Sequence, residues 1–206
     1  GWLSALHVAL ILIILLLPLS VFQQKPKLAR DLLAATEAPA LIAAARQQVL
    51  ADTDLTPAQA AALPLAAQGY TWASVLSRQL KQSVMVIGPG SKYARQDDFW
   101  TDFRTLDGQP VLIYLKRSGE LATVSPWFAR TRLLAVSYRG QAYAFALGEG
   151  FSYERYLSQV LIPVRDNYYT APDWLPAGSC PVTQRYFGAT AGLAVDAVAA
   201  GTTASP

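Results

Sequence analysis

The chain has 206 residues, of which 52% are hydrophobic and 15% are charged, and its formal net charge at pH 7 is +3. An average globular chain carries about 25% charged residues, and a weak, scattered positive charge does not indicate a nucleic-acid surface. The single cysteine, Cys180, excludes an internal disulfide, and with His7 as the only histidine we expect no metal and no cofactor.

The first segment is apolar throughout. Residues 2–22 contain no Asp, Glu, Lys or Arg, and about 20 such residues in a helix cross the ~30 Å hydrocarbon core of a bilayer. A secretory signal peptide is the alternative, but it begins with basic residues and has a shorter apolar run. The sequence therefore predicts a single transmembrane helix over residues 1–24. Lys25, Lys27 and Arg30 follow it and favour a cytoplasmic location for the rest of the chain.

Residues 25–67 are rich in Ala and Leu and predict a helical connector. Leu28 and Leu32 recur at a helical spacing, and Pro39 is expected to divide the first stretch into two helices. Thr56, with Gln59 three residues later, has the pattern of a capping box. That pattern predicts a short helix over residues 57–63.

Residues 68–188 predict a small α/β domain. An amphipathic helix is expected over 70–80, followed by buried strands at 83–88 and 109–116. Two such strands separated by a helix-containing loop have the spacing of a βαβ unit with a parallel pair of strands.

The second half of the domain begins with a clear hairpin signal, two apolar runs joined at Arg139-Gly140. A helix is expected from residue 152 until Pro163. Residues 170–188 hold three prolines and two glycines and predict an irregular, packed segment, and residues 189–206 predict a low-complexity tail. The predicted fold class is therefore α/β, with a single N-terminal transmembrane helix, a helical connector, and a small α/β domain that contains a βαβ unit and a β-hairpin.

The polar stretch after the strand at 83–88 is the candidate ligand-binding site, because ligands of open α/β sheets bind beyond the carboxyl ends of strands. Its basic side chains suit a phosphate or a sugar carboxylate, its polar ones suit sugar hydroxyls, and its Trp suits a sugar face. The alternative, which the residues by themselves favour, is that an aspartate caps a helix starting near Phe99 and the aromatic residues fill the core. The candidate ligand-binding residues are Lys92, Arg95, Gln96, Asp97, Asp98 and Trp100.

No catalytic residue is predicted. Asp97 and Asp98 are neighbours, so their carboxylates point apart on a helix or a strand. The serines lack a histidine partner because His7 lies in the predicted membrane helix. Without that partner, Cys180 is expected to be a small buried thiol.

The C-terminal part of the domain combines aromatic residues with Arg165, Asp166, Asp173 and Arg185. Buried Tyr and Trp groups need hydrogen-bond partners, and Arg–carboxylate pairs can supply them. Such a segment predicts a polar-aromatic girdle that holds the C-terminus on the domain. A docking face for a partner or for the membrane interface is the alternative.

Three stretches resemble a known family: "YTWASVLSRQL" at 70–80, "GPGSKYARQDDFWTDFRTLDGQPVLIYL" at 88–115, and "GFSYERYLSQVLIPVRDNYYTAPDWLPAGSCPVTQRYF" at 150–187. They are similar to the C-terminal region of bacterial membrane glycosyltransferases of family 39, the dolichyl-phosphate-mannose and aminoarabinose-transferase-like group. The resemblance implies a polyprenyl-phosphate-linked sugar donor, a membrane body of many helices, and a C-terminal α/β domain on the periplasmic side of the bacterial inner membrane. On sidedness we follow the resemblance rather than the basic residues after the apolar segment.

The chain departs from the family in lacking the multi-span body, whose first outer loop carries the catalytic acidic residue. We therefore expect a C-terminal span and extramembrane domain that is related to such a transferase but not catalytic by itself. The alternative is a single-span accessory subunit of a larger membrane complex. Either function has the lipid bilayer and other membrane polypeptides as expected partners, and the first adds a polyprenyl-phosphate sugar.

Overall fold

The computed structural model describes residues 2–16, 26–89, 97–168, 174 and 181–188. The helices and strands follow in chain order: α1 (Trp2–Leu16), α2 (Pro26–Thr36), α3 (Ala38–Asp52), α4 (Pro57–Ala62), β1 (Leu65–Ala67), α5 (Tyr70–Leu80), β2 (Met85–Val86), α6 (Asp97–Trp100), β3 (Val111–Leu115), α7 (Leu121–Val124), β4 (Phe128–Tyr138), β5 (Gln141–Phe151), α8 (Tyr153–Tyr156), α9 (Ile162–Tyr168) and α10 (Pro181–Phe187). Short 3-10 segments occupy Phe103–Leu106, Ser118–Glu120 and Ser125–Trp127, and a π-helical turn occupies Leu157–Leu161.

The described strands form one mixed sheet in the order β2-β1-β3-β5-β4. β1 pairs in parallel with both neighbours, so that Ala66 lies opposite Met85 on one side and Ile113 on the other. β5 is antiparallel to β3 and to β4. The mixed α/β class is confirmed, and so is the hairpin, whose turn lies between Tyr138 and Gln141.

A βαβ unit is present, but its strands differ from the predicted ones. It consists of β1, α5 and β2, and α5 has the predicted bounds. The predicted direct pairing of 83–88 with 109–116 is wrong, because β1 lies between β2 and β3. β1 carries no strand signal in the sequence, since it is three residues of Leu and Ala directly after Pro64.

The sheet is covered on both faces, and β3 shows this most clearly. Leu112 and Tyr114 point into a core with α2, α3 and α5. The alternate residues Val111, Ile113 and Leu115 point into a second core built largely from aromatic side chains. All five residues of β3 are therefore buried, as expected of a strand between two layers.

The connector helices pack directly on the sheet. The division before Pro39 is confirmed, as α2 ends at Thr36 and α3 begins at Ala38. The capping box is also confirmed, with reciprocal hydrogen bonds between Thr56 and Gln59. Because α2 and α3 share a core with the sheet and β1 lies within it, the expected boundary between residues 67 and 68 falls inside the βαβ unit.

Two further predictions, one of a helix end and one of an irregular segment, are wrong. The helix that starts after Ser152 does not stop at Pro163, because α9 continues to Tyr168. The wider π-helical turn just before Pro163 accommodates a residue that has no N–H and whose ring clashes with an ordinary helical turn. Residues 181–187, predicted to be irregular, form α10, in which Pro181 takes the first helical position, where its missing N–H costs nothing.

The N-terminal helix α1 extends over Trp2–Leu16, and the predicted span 1–24 runs on into residues outside those described. Among the residues that the structure describes, none of the helices combines the length and the apolar character that crossing a bilayer requires.

Candidate functional site

The predicted ligand-binding residues are described only in part. Lys92, Arg95 and Gln96 lie outside the described residues. Asp97 and Asp98 begin α6, and only their backbone is described. Trp100 ends α6, and 78% of its surface is exposed.

Trp100 lies at the amino ends of the parallel strands, not at the carboxyl ends from which the stretch departs. It lines a cavity of about 250 Å³ together with Pro64 and Leu65 at the start of β1 and Ser83 and Met85 at the start of β2. The physical reason is topological. β3 runs parallel to β1, so the chain must return to the amino edge before Val111.

The carboxylate of Asp102 lines this cavity and is bound by the guanidinium of Arg104. Asp102 accepts two side-chain hydrogen bonds from Arg104, Nε to Oδ1 at 2.9 Å and Nη2 to Oδ2 at 2.7 Å. These bonds lower the pKa of the Asp102 carboxyl, so it stays ionised at neutral pH. Thr105 donates its hydroxyl to the Asp102 carbonyl at 2.8 Å, which fixes the backbone beneath the carboxylate.

Helix α10 binds the backbone on either side of Asp102. The buried Tyr186 hydroxyl donates to the Thr101 carbonyl at 2.7 Å and accepts from the Phe103 amide at 3.2 Å. Arg185 Nη1 donates to the same Thr101 carbonyl at 3.0 Å, and Arg104 Nη1 donates to the Arg185 carbonyl at 3.3 Å. At α10, Tyr and Arg side chains thus fasten this helix to the domain, as expected for part of the predicted girdle, and the acceptors of these bonds are backbone carbonyls.

The carboxyl end of β2 has a different neighbourhood. Gly88 has φ +97°, and a Cβ there would lie 3.0 Å from the Trp127 ring. Its amide donates to the buried Tyr156 hydroxyl at 2.9 Å. The close approach that Gly88 allows is thus used by the internal aromatic ring of Trp127.

A second, larger cleft of about 540 Å³ lies between the end of α3 and the hairpin. Both of its arginines already have hydrogen-bond partners within the domain. Arg130 makes two bonds to Glu149, at 2.7 and 2.9 Å, and Arg132 donates to the Asp52 carbonyl. Hydrogen bonding by Arg130 lowers the pKa of Glu149. These side chains join the helical layer to the sheet.

Of the residues that line this cavity, sequence reasoning identified Trp100 alone, and those it missed include Ser83, Asp102 and Thr105. Asp102 carried a usable signal, because an aspartate side chain often accepts a hydrogen bond from the backbone amide two residues later at the start of a turn. Ser83 carried none, since its position beside Trp100 depends on the placement of β1 and β2.

Within the described ranges, no group of three or more His, Cys, Asp or Glu side chains lies close enough to hold a metal ion. Compared with known proteins, the chain matches no family model, no curated protein and no solved structure.

Proposed function

We propose that the chain is a C-terminal membrane span and extramembrane domain that is related to those of glycosyltransferases using polyprenyl-phosphate-linked sugars. We also propose that the chain is not catalytic by itself. The proposed relatives are the bacterial family 39 enzymes. The proposed location is the bacterial inner membrane, with the α/β domain on the periplasmic side.

The observation that carries this proposal is that the described parts of the two long stretches resembling the family, 88–115 and 150–187, contact each other. Gly108 donates to the Phe151 carbonyl at 2.8 Å, and Phe151 donates back to Gln109 at 3.1 Å. The Tyr153 amide donates to Asp107 Oδ1 at 2.8 Å. Two stretches that contact each other in one fold are constrained together. A common fold would therefore explain why both stretches resemble the same family.

Helix α1 supports the membrane part of the proposal. None of its residues is charged, and its described side chains are exposed, among them Trp2 at 94% and Leu6 at 68%. An apolar helix left uncovered in water is unfavourable, by about 25 cal/mol for each Å² of apolar surface. Lipid or neighbouring membrane helices would cover it.

A photoactivatable polyprenyl-phosphate sugar tests the proposal. The full chain is purified in mild detergent, returned to phospholipid vesicles and irradiated with this probe, and the same probe without its phosphate and sugar serves as the control. We expect labelling by the complete probe only, retention in the membrane at alkaline pH, and no transfer of the sugar by this chain alone.

Sugar transfer by the isolated chain would contradict the non-catalytic part of the proposal. Equal labelling by both probes would contradict the relation to a lipid-linked donor. Equal labelling together with recovery in a stoichiometric complex of other membrane polypeptides would favour the accessory subunit, to which the exposed surface of α1 is also suited.

A further inference from the structure

We propose that the cavity between Trp100 and Asp102 is a binding site for one ring of a neutral pyranose sugar. The side chains of the cavity carry this assignment, so it stands whether or not the chain is related to a glycosyltransferase.

The aromatic wall of the cavity is available to a ligand. Trp100 ends a four-residue helix and keeps 78% of its surface exposed, so its indole contributes little to the packing of the domain. The π face of an indole carries negative potential and attracts positively polarised edges. One face of a pyranose ring presents C–H groups of that kind, and stacking would cover both surfaces.

The polar wall has unused hydrogen-bonding capacity next to that indole. A carboxylate offers about four acceptor positions, and Asp102 uses two on Oδ1 and one on Oδ2. The Ser83 hydroxyl is exposed and has no hydrogen-bond partner among the described residues. A carboxylate accepts from sugar hydroxyls and Ser83 can accept or donate, while Thr105, whose proton goes to the Asp102 carbonyl, can accept.

Charge selects a neutral ligand. Asp102 and Arg104 form a salt bridge, so the charges at this side of the cavity balance. Neither an anionic nor a cationic ligand therefore meets a net opposite charge that would offset its loss of hydration. Uncharged hydroxyl groups can bind there without that cost.

The volume of the cavity suits a single sugar ring, and the segment that carries Asp102 is already fixed in place. A volume of about 250 Å³ is just below the usual range for small-molecule sites, roughly 300–1,000 Å³. The wall that bears Asp102 is already held by Arg104, Arg185 and Tyr186, so a ligand does not have to order it on binding. An open, shallow site of this kind predicts weak binding, with Kd on the order of 1 mM.

NMR of the tryptophan indoles tests the proposal on the full chain. The protein carries ¹⁵N at its five tryptophans and sits in phospholipid nanodiscs, because a maltoside detergent is itself a sugar. Methyl mannoside and methyl glucoside are the probes, with glycerol and methyl glucuronide for comparison. We expect a saturable shift of the Trp100 indole signal with the two neutral glycosides, little change with glucuronide, and none with glycerol.

The variants separate this site from a general effect of exposed tryptophan. Trp174 is as exposed as Trp100, at 79% against 78%, and provides the matched control. Binding is then followed through the sugar signals by saturation transfer. We expect Trp100→Ala to abolish it, Trp100→Phe to retain it within about fivefold, Asp102→Asn to weaken it about fivefold to tenfold, and Trp174→Ala to leave it unchanged.

Three results would overturn the assignment: no saturable shift with either neutral glycoside, equal losses in Trp100→Ala and Trp174→Ala, or binding of methyl glucuronide as tight as that of the neutral sugars. The photolabelling experiment uses a lipid-linked donor and no cavity variant. The sugar site and the relation to a transferase can therefore fail separately.

Discussion

The carboxylate of Glu37 accepts a hydrogen bond from the hydroxyl of Tyr138, with Oε2 and the phenolic oxygen 2.5 Å apart. Glu37 lies between α2 and α3, while Tyr138 ends β4, 101 residues later. Arg139 Nε donates to the same Oε2 at 3.1 Å. One carboxylate thus clamps the junction of the two connector helices to the turn of the hairpin.

Replacing Glu37 by Gln should lower stability in a pH-dependent way. The hydrogen bond from Tyr138, and then the charge of Arg139, lower the pKa of Glu37 in the folded state below its ordinary value of 4.5. A lowered folded-state pKa contributes stability that is present above the unfolded pKa and is lost as pH falls through the folded pKa. Denaturant unfolding of the wild type and of Glu37→Gln should therefore differ at pH 7 and converge at acid pH. A difference that does not change with pH would contradict this account.

Replacing Gly148 by Ala should lower the free energy of unfolding, because among the described glycines a Cβ at this position makes the shortest contact. A Cβ at this position would lie 2.5 Å from two carbons of the Phe128 ring, which is buried. Overpacking of this kind costs about 1–3 kcal/mol of unfolding free energy. Chemical denaturation of the variant measures the loss.

Gly119 provides the matched control for that substitution, because a Cβ there meets nothing within 4 Å. Gly119→Ala should change the unfolding free energy by less than about 0.5 kcal/mol. Adding Phe128→Leu to Gly148→Ala should recover part of the loss, since the smaller side chain gives way. Equal effects of the two alanine substitutions would show that the Phe128 contact is not the cause.

Replacing Tyr186 by Phe should loosen the wall that carries Asp102. The hydroxyl of Tyr186 bonds the Thr101 carbonyl and the Phe103 amide in a buried setting, and its loss leaves the amide without that partner. An unsatisfied buried group costs about 1–3 kcal/mol. Among the described residues the Tyr153 hydroxyl makes no hydrogen bond, so Tyr153→Phe is the control and should be close to neutral. Thermal unfolding and hydrogen exchange of the Phe103 amide measure both.

Tyr143 should limit stability at alkaline pH. Burial raises its pKa to about 12, and its hydroxyl donates to the Arg30 carbonyl at 3.0 Å. Its contribution to stability is complete below the unfolded pKa of 10 and declines as pH rises toward 12, because the unfolded chain releases a proton that the folded chain retains. The unfolding free energy of Tyr143→Phe should fall less steeply over this range. Parallel curves for the two proteins would argue against the assignment.

Local patterns in the sequence determined much of the secondary structure. The capping box of Thr56, the extent of α5, the break before Pro39 and the hairpin at Arg139-Gly140 depend on residues a few positions apart, and all agree with the structure. Pro163 does not end its helix as a proline usually does, because the π-helical turn just before it accommodates a residue without an N–H.

Only the tertiary structure decided which elements meet. The order β2-β1-β3 depends on β1, a three-residue strand without a signal of its own, and that order moves Trp100 to the amino edge of the sheet beside Ser83. The bonds from Tyr186 to Thr101, 85 residues apart, and from Tyr156 to Gly88, 68 apart, have no local signature. The physical reason is range: caps and turns are satisfied within a few residues, whereas strand order and buried hydroxyl partners depend on how the whole chain closes around two cores.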